Sequence, residues 1–168
     1  PSCKRNFFPW GIFFADVFYY NNGFDIVIAN PPYISTKEIS KFKWKRDLEN
    51  NFDFVDDLYN HFSFLATYIT KYKGIISFIT SDTFMTLQTK KNMRDLLLKY
   101  NLKKLVTTPK AFKAMVDTCI FFLEKEISED NNKIEFIDLK NIKISSSNNS
   151  KKFINWEKAL APIFLREA

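Results

Sequence analysis

Asn30-Pro31-Pro32-Tyr33 is the segment whose residue types and spacing could do chemistry. Two consecutive prolines fix φ and remove two N–H donors, so the turn is stiff and its carbonyls are held in place. The asparagine adds a side-chain carbonyl, and the tyrosine adds an aromatic face. Such a group can accept hydrogen bonds and stack on a flat ligand. A chance match to these four residues in a chain of this size is on the order of one in a thousand. The plain alternative is a turn, because Asn-Pro initiates turns and Pro-Pro ends a strand.

Other reactive residue types lack partners at useful spacing. His61, the single histidine, lies beside an apolar stripe with no Ser, Cys or ligand set near it in sequence, and reads as structural. Cys3 and Cys119 form no CxxC or Cys/His cluster, which argues against a disulfide framework or a zinc site and for free thiols in a reducing compartment. No metal is expected. Asp56-Asp57 reads as helix N-terminal chemistry rather than a metal pair. Lys37, Lys41, Lys43, Lys45 and Arg46, interleaved with Phe42 and Trp44, suit either a nucleic-acid contact or a solvated loop.

These residues need elements to position them. Asn21-Asn22-Gly23 is a turn signal, and the β-branched run Phe24 to Ala29 reads as a buried strand that stops at the prolines. Before it, Phe13 to Tyr20 is expected to be a short extended piece. Val55, Leu58, Tyr59, Phe62, Leu65, Ala66, Ile69 and Tyr72 fall on one helix face, with Gly74 expected to close the helix. Ile75 to Thr80 follows as a strand, Lys90 to Tyr100 as a helix, and Leu102 to Thr107 as a third strand. The alternation predicts an α/β layered domain with parallel strands joined by right-handed crossovers. Thr118 to Leu123 and Ile134 to Leu139 are expected to pair as an antiparallel hairpin at one sheet edge. Ser145 to Ser150 is a polar run with nothing to bury.

The chain's 168 residues are 46% hydrophobic and 17% aromatic, with 19 Phe, which is enough to build a core and argues against disorder. No apolar run approaches the roughly 20 residues needed to cross a bilayer, and no signal-peptide pattern opens the sequence. A cytoplasmic location without membrane association is the expectation. The net charge of +6, from 25 Lys and Arg against 19 Asp and Glu, permits a polyanionic partner without requiring one.

The run from Gly23 to Ile34, centred on Asn30-Pro31-Pro32-Tyr33, resembles the catalytic motif of amino-group DNA methyltransferases. It looks most like the adenine-specific (N6) enzymes of fused type II restriction-modification systems. The likeness continues through Asp57-Leu58-Tyr59, Gly74 to Thr80, Met93 to Leu97, Phe112 and Val116 to Ile120, covering about Phe13 to Lys125.

The resemblance implies transfer of a methyl group from S-adenosylmethionine to the exocyclic amine of adenine in DNA. It assigns Asn30 and Pro31 as catalytic, their side-chain and backbone oxygens gripping the amine's N–H groups. Pro32, Tyr33 and Phe112 become the substrate-binding set, with the two aromatics against an extruded base. It also implies a partial Rossmann-like methyltransferase sheet.

The family's glycine-rich cofactor turn and its ribose-binding acidic residue precede the catalytic strand. Only Gly11, Gly23 and Gly74 occur here, and no GxG lies before Asn30, so the cofactor-binding half is expected to be absent and the cofactor ligands unknown. The corresponding organisation is a partial catalytic domain over 1–144, a polar linker over 145–152 and the start of a following region over 153–168. The Phe24 to Ala29 strand would then expose an apolar edge, favouring self-association or pairing with the missing half, with weak cofactor binding by this chain alone. Two alternatives stay open: methylation of a protein glutamine or an RNA amino group, and a non-catalytic fragment that binds DNA or a subunit.

Overall fold

The β-branched run ahead of Asn30 forms β1 (Phe24–Ala29), at one edge of a six-stranded mixed sheet. The computed structural model describes residues 9–108, 117–129, 131–139 and 152–154. Helices α1 (Trp10–Phe13) and α2 (Ala15–Asn21) precede β1, and the short α3 (Thr36–Ile39) and α4 (Lys45–Phe52) follow it. Next come α5 (Leu58–Ile69), β2 (Thr70–Ser81), two 3-10 turns, α6 (Lys91–Lys99) and β3 (Tyr100–Thr108). The described chain finishes with β4 (Thr118–Ile127), β5 (Ile134–Asp138) and β6 (Lys152–Ile154).

The sheet order is β1-β2-β4-β3-β5-β6. β1 runs parallel to β2, and β3 parallel to β5, which gives the expected mixed α/β class with parallel pairs. The hairpin expectation is corrected. β4 lies inside the sheet, antiparallel to both β2 and β3, rather than at an edge beside β5. Its sequence explains the choice: Cys119, Phe121 and Leu123 are all buried, so the strand needs a neighbour on each side and cover above. An antiparallel pair does finish one edge, but β5 and β6 form it. The sheet therefore reaches into residues 152–154.

Two further expectations change. Phe13 to Tyr20 is helical rather than extended, because Trp10, Phe14 and Phe18 recur every fourth residue and all three rings meet Phe24, at 5.1–6.3 Å between centroids. The helix after Val55 ends at Ile69 rather than Gly74, and β2 begins at once with Thr70 opposite Phe24. The register then jumps to Ile26 opposite Ile75, with Lys73 at φ 61, so the chain bulges before ladder pairing resumes. Gly74 serves that bulge: a Cβ there would stand 2.9 Å from the Asp25 carbonyl oxygen. Gly23, at φ 127, lets β1 start against the end of α5, where a Cβ would stand 2.6 Å from the Ile69 carbonyl oxygen.

The core lies on one side of the sheet. Ile76, Phe78, Leu105, Phe121 and Leu123 pack under Tyr59 and Ala66 of α5 and Met93 and Leu97 of α6. The buried side of α5 is more polar than its apolar stripe suggests. Asn60, His61, Ser63 and Thr67 are buried, whereas Phe62 and Tyr72 are exposed. On the sheet's opposite face, Ile28 and Phe122 flank Ser77 in one row and are both exposed.

Candidate active site

Strand β1 delivers Asn30 to the end of the sheet where β2 also finishes. Ala29 pairs with Phe78, and three residues later Ser81 pairs with Thr118 at the start of β4. The carboxyl ends of parallel strands are where open α/β sheets place their ligands. Asn30 and Pro32 are exposed, Pro31 is buried, and Tyr33 is half-buried. The Tyr33 hydroxyl is itself buried, and burial raises its pKa. One turn of chain is closed by the Ile34 amide donating to the Pro32 carbonyl at 3.0 Å.

The segment leaving Tyr33 is tied down at three points. Ser35 caps α3 in a reciprocal box with Glu38, whose carboxylate accepts from the Ser35 amide at 2.9 Å. Leu58 donates its amide to the Ile34 carbonyl at 2.9 Å. Asp57 Oδ1 accepts from both the amide and the hydroxyl of Thr36, at 2.8 and 2.9 Å. Asp57 sits at the N-cap position of α5 but makes no side-chain cap bond there, so its role differs from simple helix capping.

Behind Asp57 lies a buried polar cluster. Lys90 Nζ stands 2.8 Å from Asp57 Oδ1 and 2.5 Å from Asp56 Oδ1, and the Asn60 side-chain amide donates to Asp56 Oδ2. Asp56 and Lys90 are only 3% and 6% exposed. The sequence singled out the aspartates but not Lys90, which is 34 residues beyond Asp56. No local spacing signals such a pair. Among the described residues no group of three or more His, Cys, Asp or Glu is placed to hold a metal ion.

His61 stays apart from this chemistry. Its Nε2 accepts from the Asp56 amide at 3.1 Å, and its ring stacks on Phe54 with centroids 4.9 Å apart. Burial is the largest influence on its pKa and lowers it from the ordinary 6.5, although Asp56 pulls the other way. The folded protein thus resists a proton that the unfolded chain accepts. The His61 contribution to stability is complete above pH 6.5 and shrinks as pH falls below it. Urea denaturation between pH 8 and 5.5 should show this decline, and His61→Gln should flatten it.

In the basic segment, Phe42 and Trp44 stack with centroids 4.9 Å apart. Lys45 pairs with Glu49, while Lys37, Lys41, Lys43 and Arg46 are exposed around the stack. Phe112 lies outside the described residues. Thr108 and Asp117, the described residues on either side of it, stand at the same end of the sheet as Asn30.

Residues 1–114 match the model of the Eco57I restriction-modification methylase family. This chain belongs to that family. Comparison with curated protein sequences gives no match.

The fold of this Eco57I-family chain recurs in larger solved structures. The type IIG restriction endonuclease BpuSI aligns with a TM-score of 0.51 and 22% identity over 68% of this chain and 15% of its own. A class I S-adenosylmethionine-dependent methyltransferase from Listeria monocytogenes gives 0.52 and 16%, over 86% and 42% of the two chains. The type ISP restriction-modification enzyme LlaBIII, solved bound to DNA, gives 0.51 and 18%, over 70% and 10%. The chain thus spans between 10% and 42% of the length of these three proteins. No helix among the described residues is long and apolar enough to cross a membrane.

The three glycines of this Eco57I-family chain serve the scaffold among the described residues. Gly11 lies in α1, Gly23 closes against α5, and Gly74 closes against β1, so none opens a glycine-rich turn.

Proposed function

We propose that this chain supplies the base-capturing part of an adenine-specific DNA methyltransferase in a restriction-modification system. The observation that carries the reading is the placement of Asn30 and Pro31 at the carboxyl end of β1, on a turn made rigid by two prolines and by anchors at Ile34, Ser35 and Thr36. The exocyclic amine of adenine is a poor nucleophile because its lone pair is delocalised into the ring. Asn30 Oδ1 and the Pro31 carbonyl, accepting its two N–H groups, draw the nitrogen toward tetrahedral geometry and aim the lone pair away from the ring. Because both acceptors are in place beforehand, little reorganisation accompanies the reaction. Tyr33 and Phe112 flank the extruded base.

DNA is favoured as substrate by the exposed lysines around Phe42 and Trp44 and by the DNA-bound state of LlaBIII. The deciding measurement is mass spectrometry of DNA, RNA and protein after incubation of the full-length gene product with S-adenosylmethionine. N6-methyladenine in DNA is the expected product. Methyl groups confined to RNA or to protein glutamine would overturn the DNA assignment, and no methylation of any would favour a binding role.

The edge of the sheet defines a second part of the proposal. Among the described residues β1 pairs with β2 alone, and Ile26 and Ile28 are 59% and 75% exposed. An unpaired apolar edge of this kind is a template for another strand. The 168-residue chain should therefore self-associate in sedimentation velocity at micromolar concentration, and Ile28→Lys should shift it toward monomer.

A further inference from the structure

We infer that Asp57 is a positioning residue for base capture, holding the turn that carries Asn30 and Tyr33 in its productive geometry. The inference rests on the reading of Asn30 and Pro31 as acceptors for the adenine amine. Its own basis is the geometry behind them. A single oxygen, Asp57 Oδ1, receives the amide and the hydroxyl of Thr36 and the ammonium of Lys90, at 2.8, 2.9 and 2.8 Å. Thr36 is three residues beyond Tyr33, at most about 10 Å of extended chain, so fixing its amide limits how far the ring can travel.

The other donors and acceptors make this a latch rather than a surface contact. Asp56 Oδ1 also holds the Lys90 ammonium, and Lys90 is the residue immediately before α6. Three segments remote in sequence, the loop after Tyr33, the start of α5 and the start of α6, therefore meet on one carboxylate. The adjoining bond runs the opposite way, the Leu58 amide at the start of α5 donating to the Ile34 carbonyl, so the two segments are tied in both directions. Charge-assisted hydrogen bonds of this kind are stronger than neutral ones, and catalytic rates are sensitive to displacements of about 1 Å in a positioned group.

The chemistry separates two substitutions. Asp57→Asn keeps a side-chain oxygen for Thr36 and leaves Asp56 to balance Lys90. Asp57→Ala removes the acceptor and frees both Thr36 donors. In the full-length gene product, Asp57→Ala should lower kcat for DNA methylation about 10- to 100-fold, with KM for S-adenosylmethionine within about threefold of wild type. Asp57→Asn should retain most of kcat.

Amide hydrogen exchange gives a readout independent of the substrate. Residues 33–37 should exchange faster in Asp57→Ala but not in Asp57→Asn, while the amides of β2 stay protected. Wild-type kcat in Asp57→Ala, or an equal loss in both variants, would overturn the inference, as would unchanged exchange at 33–37. If the wild-type protein methylates no DNA, the reading of Asn30 and Pro31 fails, and exchange alone then decides whether Asp57 holds the turn.

Discussion

Asn30→Ala in the full-length protein should lower the rate of methyl transfer to adenine about 10²- to 10³-fold, the loss typical of removing one preorganised hydrogen-bonding group from a reacting centre. Its stability should hardly change. Asn30 is exposed, and its side chain makes no hydrogen bond among the described residues, so the fold does not depend on it. Surface substitutions of that sort stay within about 0.5 kcal/mol. Single-turnover methylation alongside thermal denaturation separates the two effects. An alanine variant that keeps its rate within a few-fold of wild type would remove Asn30 from the chemistry. Asn30→Asp tests the same point from the other side, because a carboxylate still accepts from the amine, and its loss should be smaller than that of alanine.

Lys90→Met should produce the largest loss of stability. It removes the cation that faces Asp56 and Asp57 together, at 2.5 and 2.8 Å, and leaves two carboxylates in a site where Asp56 is only 3% exposed. Breaking a buried pair by deleting one partner costs about 3–5 kcal/mol, because the remaining charge has lost its water and its counterion. In a chain of this size that corresponds to a fall in Tm of roughly 10 °C or more. The triple variant Asp56→Asn, Asp57→Asn, Lys90→Met carries no charge in the cluster and should recover most of the loss, since neutral replacement of a buried ion group is often nearly free. Equal Tm for the single and triple variants would show that packing of the lysine stem, rather than its charge, holds the three segments together.

The two substitutions act on different levels of the same assembly. Asn30 stands where the reaction is proposed to occur and can be removed without harm to the scaffold. Lys90 belongs to the cluster that is bonded to the segment after Tyr33. The division follows from burial: the exposed Asn30 side chain has little to contribute to stability, whereas the buried cluster is bonded to the segment after Tyr33.

Much of the scaffold around the candidate site could be read from local sequence. The β-branched run from Phe24 to Ala29, ended by two prolines, could only be a strand running into a stiff turn. The helical period through Met93, Leu96 and Leu97 likewise marks α6, since all three are buried on one face, although the buried Arg94 beside them carries no such signal. The end of helix α5 is not a local property. Its end depends on Thr70 pairing with Phe24, 46 positions earlier, and on the close approach of Gly74 to β1. The aromatic opening segment is helical for a similar reason: its spacing becomes meaningful only when Phe24 is present to receive Trp10, Phe14 and Phe18.

The sequence by itself determined the chemistry on offer, an amide, a held carbonyl and an aromatic ring after a strand, because residue type and backbone restriction are local properties of the chain. Only the tertiary structure decided that β4 enters between β2 and β3, that β1 is left as an edge, and that Lys90 and Asp57 fasten the loop after Tyr33. Those outcomes depend on which apolar faces can be covered together and which buried charges can be matched, and both choices are made between residues that are neighbours in space but distant along the chain.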